Sequence, residues 1–316
     1  MKAFITGISG FTGKHLVQLL VNKGIGVDGI DLSVAKAGVG KTKYISCNLT
    51  DKEKLTKIIL TSKPDYVFHL ASPIIRSDKL LDKTLAKNLS VDLFGTVNLL
   101  QAIDKLPKKP KVLITSTAAV YKKDKGQPFK ETDKLEPRTA YGLSKLTQEM
   151  IGLQLAKSYD IPLIVSRSIL LIGTEQAEGF VINDLVKQVA EIEAKMGKPV
   201  LWVGDLSTKR DFTDIRDGVE AYLTLLEKGK SGEIYNVCNG QAVTIKQVAD
   251  WLKQNSRVKF EVKEKKQWRK NDLNVLVGDN HKLRELGWKP KYTLKNSLQE
   301  ILDYWRVNLQ GETLKV

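Results

Sequence analysis

Over the first half of the chain, short apolar runs alternate with longer segments of helical periodicity. Ala3-Phe4-Ile5, Val27 to Ile30, Tyr66-Val67-Phe68-His69-Leu70-Ala71, Lys111-Val112-Leu113-Ile114-Thr115 and Leu163-Ile164-Val165-Ser166 have the length and composition of buried strands. Between them, Lys14 to Asn22 sets Leu16, Val17, Leu19 and Leu20 on one helical face, and Leu85 to Leu106 and Tyr141 to Tyr159 read as long amphipathic helices. Strand and helix in repeated alternation predict an α/β fold with a doubly wound parallel sheet, because parallel neighbours need a crossover that a helix supplies. Beyond residue 170 the pattern is less regular. Phe180 to Met196, Asp217 to Lys228, Ile245 to Gln254 and Leu294 to Asn308 predict helices, with short strands at Val200-Leu201-Trp202 and Glu233-Ile234-Tyr235-Asn236-Val237. The expected division is a first domain over residues 1–170, to which the chain returns near 205–240, and a smaller α/β lobe over 171–316.

Composition fits this picture. With 316 residues, 42% of them hydrophobic, the chain can bury one large core and a second, smaller one. No stretch is long and apolar enough to span a bilayer, and Lys2 runs straight into the first strand with no room for a signal peptide, so the expected location is cytoplasmic, away from membranes. Cys47 and Cys238 lie in apolar, strand-like contexts and are expected as buried free thiols. Three histidines and no cysteine cluster give a metal site little to be built from, and none is expected. The net charge of +15 comes from lysines spread along the chain without interleaved aromatic residues, which argues for a solvated surface and against a nucleic-acid partner. The denser field from Lys253 to Lys295 suits a phosphate-bearing ligand.

Candidate chemistry lies in three places. Gly7-Ile8-Ser9-Gly10-Phe11-Thr12-Gly13 joins the first strand to the first helix, and glycines there let backbone N–H groups approach a pyrophosphate at the positive end of the helix. Asp31 ends the second strand about 20 residues further on, where a carboxylate accepts from ribose hydroxyls and repels a 2′-phosphate. NAD(H) is therefore favoured, with NADP(H) open through Lys36. Tyr141 and Lys145 stand four apart on one helical face, so the ammonium can lower the phenol from its ordinary pKa of about 10 toward neutrality, fitting it to exchange a proton with a carbonyl or alkoxide. Thr117 ends the strand that begins near Lys111, at the carboxyl edge of the sheet, where its hydroxyl can bond the same oxygen.

These elements come with His69-Leu70-Ala71, Gly95-Thr96-Val97-Asn98-Leu99-Leu100, Arg210-Asp211-Phe212-Thr213-Asp214, Tyr235-Asn236-Val237-Cys238-Asn239-Gly240 and Gly287-Trp288-Lys289-Pro290. The set resembles the extended short-chain dehydrogenase/reductase family, the NAD-dependent epimerase/dehydratase group, over nearly the whole length. Phe180-Val181, Val203-Gly204-Asp205 before Arg210, and Gly278-Asp279 with Lys282-Leu283 are most similar to its GDP-mannose 4,6-dehydratase and GDP-4-keto-6-deoxy-D-mannose reductase branch. The resemblance implies a Rossmann-like fold and a homodimer through two long helices per subunit. It implies cofactor contacts from Gly7, Gly10, Phe11, Thr12, Gly13, Asp31, Asn48, Leu49, Leu70 and Ala71, with Lys145 also reaching the nicotinamide ribose beside Tyr141. It further implies a GDP-sugar held by Asn183, Lys187, Arg210 and Arg269. Dehydratases of the branch carry an acid two residues before the tyrosine that ends the Ser-Thr strand, whereas this chain has Ala119 there, after Ala118. With no carboxylate following Thr117, elimination lacks its general base, and the reductase reading is preferred, with GDP-D-rhamnose as product. The alternatives are a 4-epimerase or reductase on another nucleotide sugar, the dehydratase, and a non-catalytic NAD-binding regulator. Four positions depart from the family pattern: Ser168-Ile169-Leu170 replaces Pro-x-Asn, Lys122 a glycine, Asp92 an asparagine and Asn48 an aspartate.

Overall fold

The computed structural model describes residues 1–33, 42–73, 83–122, 128–265 and 274–313. Seven strands, β1 (Lys2–Thr6), β2 (Gly26–Asp31), β3 (Lys43–Ser46), β4 (Tyr66–His69), β5 (Lys111–Thr117), β6 (Leu163–Ser168) and β7 (Ile234–Val237), form one parallel sheet. Their order is β7-β6-β5-β4-β1-β2-β3. The helices around it and beyond it are α1 (Phe11–Asn22), α2 (Lys52–Ser62), α3 (Lys83–Leu89), α4 (Thr96–Asp104), α5 (Ala140–Ser158), α6 (Val181–Glu193), α7 (Ile215–Lys228), α8 (Ile245–Asn255), α9 (His281–Arg284) and α10 (Leu294–Thr313). The doubly wound α/β sheet expected from the alternation is present, and its order reverses between β1 and β4. Ligands of such sheets bind at the carboxyl ends of the strands beside that reversal.

The period of two along each strand divides the core into two layers. Ala3, Ile5, Val27, Phe68 and Leu113 pack on Leu16, Val17 and Leu20 of α1 and on Val219, Tyr222, Leu223 and Leu226 of α7. Phe4, Ile30, Val67, Val112 and Ile114, one residue out of phase, pack on Leu55 and Ile59 of α2, Leu99, Leu100 and Ile103 of α4, and Ala156 of α5. A third cluster joins α6, α8 and α10 to the parallel strand pair Val200–Val203 and Glu261–Glu264. Asp211 ties neighbouring segments together: its carboxylate accepts from the N–H groups of Asn239 (3.1 Å), Gly240 (2.9 Å) and Gly278 (3.3 Å). Burial pushes its pKa up to about 6 despite these donors.

Two features depart from the sequence pattern. The helix expected over Leu85 to Leu106 is interrupted at Ser90–Gly95 by a π-helical turn. An apolar stripe does not signal it, because a π turn keeps the helix running while widening one turn by a residue. β3 and α2 have no counterpart in the expected elements, since β3 is a short, half-exposed edge strand and α2 carries a thin apolar stripe. Both cysteines are free and buried, as their contexts predict. Among the described residues no helix is long and apolar enough to cross a membrane.

Candidate active site

The turn between β1 and α1 is shaped by two glycines. Gly7 has φ +74°, and a Cβ there would lie 2.9 Å from the backbone of Ala71; a Cβ on Gly13 would lie 2.3 Å from the Gly7 carbonyl oxygen. The turn therefore closes against the end of β4, where the Ala71 N–H donates to Thr6 Oγ1 (3.2 Å) and the Leu70 N–H to the Thr6 carbonyl (3.2 Å). Gly10 caps α1 with no side-chain acceptor, and the first helical turn, with Phe11, Thr12 and Gly13, holds no acidic residue. The N–H groups at this positive helix end are open to an anion, and the glycine cradle fits a dinucleotide pyrophosphate. At the end of β2 the Asp31 carboxylate accepts from the N–H groups of Ser9 (3.0 Å) and Leu32 (2.8 Å), which fixes it beside the same turn. The Cys47 N–H donates to the Asp31 carbonyl (2.9 Å), so Asn48 and Leu49 follow directly. Asn48 is exposed and accepts from the Thr50 N–H (3.0 Å); Leu49 is buried, and its carbonyl accepts from Asn98 Nδ2 (3.0 Å). Of the residues expected around the cofactor, those of the glycine turn, Asp31, Leu70 and Ala71 form one rim, with Asn48 and Leu49 at its outer end.

Thr117 is the last residue of β5, and its hydroxyl accepts from the Ala119 N–H (3.2 Å), capping the single turn Ala118–Val120. That acceptor role leaves its proton to donate. Thr139 caps α5 by accepting from the Gly142 N–H (3.0 Å). A Cβ on Gly142 would lie 2.6 Å from the Ala119 carbonyl oxygen, so glycine lets the first turn of α5, with the half-buried Tyr141, seat directly on the turn after Thr117. One turn further, Lys145 is buried, and its Nζ donates to the Thr115 carbonyl (2.8 Å) and to Gln148 Oε1 (2.8 Å), with Asp92 Oδ1 3.9 Å away. Burial draws the Lys145 pKa down, against the pull of the Asp92 and Glu149 carboxylates.

Beneath these residues runs a polar network without a counterpart among the expected site residues. His69 Nδ1 lies 2.7 Å from Thr6 Oγ1, and Nε2 lies 2.8 Å from Thr96 Oγ1, which also accepts from Gln148 Nε2 (2.9 Å). Since the Thr96 hydroxyl gives its own proton to the Asp92 carbonyl (2.5 Å), His69 must donate from Nε2, so the network assigns that tautomer. Burial, with the Lys145 charge nearby, pushes the His69 pKa down to about 3 and keeps the ring neutral. Spacing puts Gln148 on the helical face of Tyr141 and Lys145, seven and three residues on, but does not show its bond to Thr96. On the next strand Arg167 forks onto Glu149 (2.8–3.2 Å), which also accepts from the Ser116 hydroxyl, so the end of β5 is anchored from below.

The expected sugar-nucleotide residues within the described chain lie on α6 and on the strand Lys209–Asp211. Asn183 and Lys187 share one face of α6. Asn183 is buried, accepting from Trp305 Nε1 (2.8 Å) and donating to the Ala177 carbonyl (3.3 Å). Lys187 bonds Glu178, lies 3.7 Å from Glu191 and sits 5.1 Å from the Trp305 ring centre. Arg210 is buried on the strand Lys209–Asp211, between Ala242–Thr244 and Val275–Leu276. Arg269 and Lys36 lie outside the described residues.

Comparison with known proteins agrees with this geometry. A sequence model of the family described as GDP-mannose 4,6 dehydratase matches residues 4–301. The chain is 32% identical over 320 residues to GDP-6-deoxy-D-mannose reductase from Pseudomonas aeruginosa, covering 98% of this chain and 99% of that one. The structure of RMD from Pseudomonas aeruginosa complexed with NADPH superposes with a TM-score of 0.84 at 30% identity, over 97% of this chain and 99% of that one. UDP-glucose 4-epimerase from Thermus thermophilus, in complex with NAD, does so with a TM-score of 0.81 at 26% identity, over 97% and 99%. Matched nearly end to end, the chain belongs to the GDP-mannose 4,6 dehydratase family, among the NAD(P)-dependent reductases, epimerases and dehydratases of sugar nucleotides.

Proposed function

We propose that the protein is a cytoplasmic NAD(P)H-dependent reductase of the C4 ketone of GDP-4-keto-6-deoxy-D-mannose, yielding the GDP-6-deoxyhexose GDP-D-rhamnose. The observation that carries this reading is the end of β5: Thr117 is followed by a tight turn made of Ala118, Ala119 and Val120, with Tyr141 seated on it and no carboxylate in the turn. Such a site can donate a proton to a ketone oxygen but lacks a base placed there to remove a carbon-bound proton. The reductase from Pseudomonas aeruginosa is the curated relative at 32% identity, which supports the same choice.

We assign the residues the following roles. The rim from Gly7 to Ala71 would hold a nicotinamide dinucleotide, with Asp31 at its adenosine ribose, and the bound cofactor would supply a hydride. Tyr141 protonates the substrate O4 as it gains charge, and Thr117 donates a hydrogen bond to the same oxygen. Lys145 holds the nicotinamide ribose and stabilises the phenolate left on Tyr141. Asn183, Lys187, Arg210 and Arg269 are the candidates for the GDP part, with residues 1–170 carrying the cofactor and 171–316 mainly the sugar nucleotide. Met150 on α5 and Phe94 on the π-helical turn are exposed, at 66% and 58% of their surface, and this supports a homodimer built on these helices.

Asp31 makes NADH the favoured cofactor. Replacing it by Ser is expected to shift the ratio of kcat/KM values at least about tenfold toward NADPH, because the carboxylate that repels a 2′-phosphate is removed. Comparing initial rates with the two cofactors checks this. A 4-epimerase reading is separated by denaturing the purified protein and assaying what it releases: an epimerase carries tightly held NAD⁺ at close to one per subunit, whereas a reductase that exchanges its cofactor every turnover carries little.

A further inference from the structure

The π-helical turn carries an acid into the interior beside Lys145. Asp92 is fully buried; its Oδ2 accepts from Ser144 Oγ (2.6 Å), while its Oδ1 has no hydrogen-bond partner and lies 3.9 Å from Lys145 Nζ. The two acceptors that Nζ does bond, the Thr115 carbonyl and Gln148 Oε1, are neutral. We propose that Asp92 is a positioning residue whose carboxylate is the counter-charge that keeps the Lys145 ammonium protonated and aimed into the site. This rests on the roles given above to Lys145 and Tyr141.

The groups around the pair leave most of this task to Asp92. Glu149, also on α5, adds to the pull on Lys145, but it is forked by Arg167 from β6 and takes the Ser116 hydroxyl from β5, so much of its charge is matched elsewhere. His69 on β4 is neutral and bonds the Thr6 and Thr96 hydroxyls. Asn88 on α3, one turn before Asp92, is fully buried and uncharged. Tyr141, one turn before Lys145 on α5, is the group whose proton the ammonium governs. A buried ammonium facing only neutral acceptors gives up its proton readily, and a carboxylate within 4 Å opposes that loss.

Asp92→Asn tests this, since it keeps the size of the side chain and the acceptor for Ser144. Two profiles are measured from about pH 6 to about pH 11, past the ordinary Tyr and Lys values of about 10: the Kd of NADH, by its fluorescence on binding, and kcat/KM for the 4-keto sugar. The expected result is that the alkaline limb of both profiles moves to lower pH by about one unit, with NADH affinity at pH 6 within about threefold of wild type. If the Asn variant does not accumulate, Asp92→Ser carries the same expectation. A variant that binds NADH more weakly by one factor at every pH, with its limb unmoved, would overturn the proposal and leave Asp92 a packing residue. The binding profile needs no sugar, so a protein that shows the shifted NADH limb but reduces no 4-keto sugar refutes the proposed function and not the role of Asp92.

Discussion

Tyr141→Phe is expected to lower kcat at least about a hundredfold while leaving the Kd for NADH within a few-fold of wild type. The substitution removes one oxygen from a half-buried ring and leaves the features that seat the residue: the Thr139 cap on Gly142 and the contact of Gly142 with the turn after Thr117. The cofactor rim from Gly7 to Ala71 is built from other segments and is untouched. The loss therefore falls on proton transfer in the transition state, which raises the barrier without weakening cofactor binding. Steady-state rates together with direct NADH titration check both halves. Near-normal turnover would mean that the proton comes from elsewhere.

Arg167→Met is expected to cost about 3–5 kcal/mol of folding stability, because it strips the partner from a buried carboxylate. Arg167 is 1% exposed; it contacts Glu149 through Nε and Nη2, donates to the Glu131 carbonyl through Nη1 (3.0 Å), and lies 4.9 Å from the Tyr121 ring centre. Methionine fills much of the volume but leaves the Glu149 charge unpaired. For a chain of this size the loss corresponds to a fall in Tm of roughly 5–8 °C. Lys246→Met, which breaks the exposed pair with Asp250 at 2.6 Å on α8, should by contrast change stability by less than about 1 kcal/mol. Thermal unfolding of the two variants side by side decides the matter: equal, small shifts would show that the Arg167 fork contributes little. Because Ser116 also leans on Glu149, the Arg167 variant should lose activity at temperatures where it is still folded.

What was legible in the sequence is what is local. The turn from Gly7 to Gly13 and the end of β2 at Asp31 depend on residues close together in the chain, and Tyr141 and Lys145 lie one turn apart on α5 because they are four residues apart. The polar network under the site depends on contacts across the chain, such as Thr6 with His69, 63 residues apart, and Gln148 with Thr96, 52 apart. Spacing cannot show these. The π-helical turn was hidden for a different reason: a helical period runs on through it, and the buried polar residues Asn88, Asp92 and Thr96 repeat every four positions as they would on an unbroken helix. Asn183 and Lys187 were singled out by resemblance; the structure engages their side chains with Trp305, Ala177, Glu178 and Glu191, so contact with a GDP group would require some of these bonds to exchange.

The most direct test of the central claim is consumption of NADH with GDP-4-keto-6-deoxy-D-mannose, generated in place from GDP-mannose by a separate dehydratase, and GDP-mannose alone as control. The account predicts oxidation of NADH only when the keto sugar is present, one equivalent per sugar reduced, with the product identified by NMR as GDP-D-rhamnose. No consumption with either NADH or NADPH, or conversion of GDP-mannose by this protein alone, would contradict it.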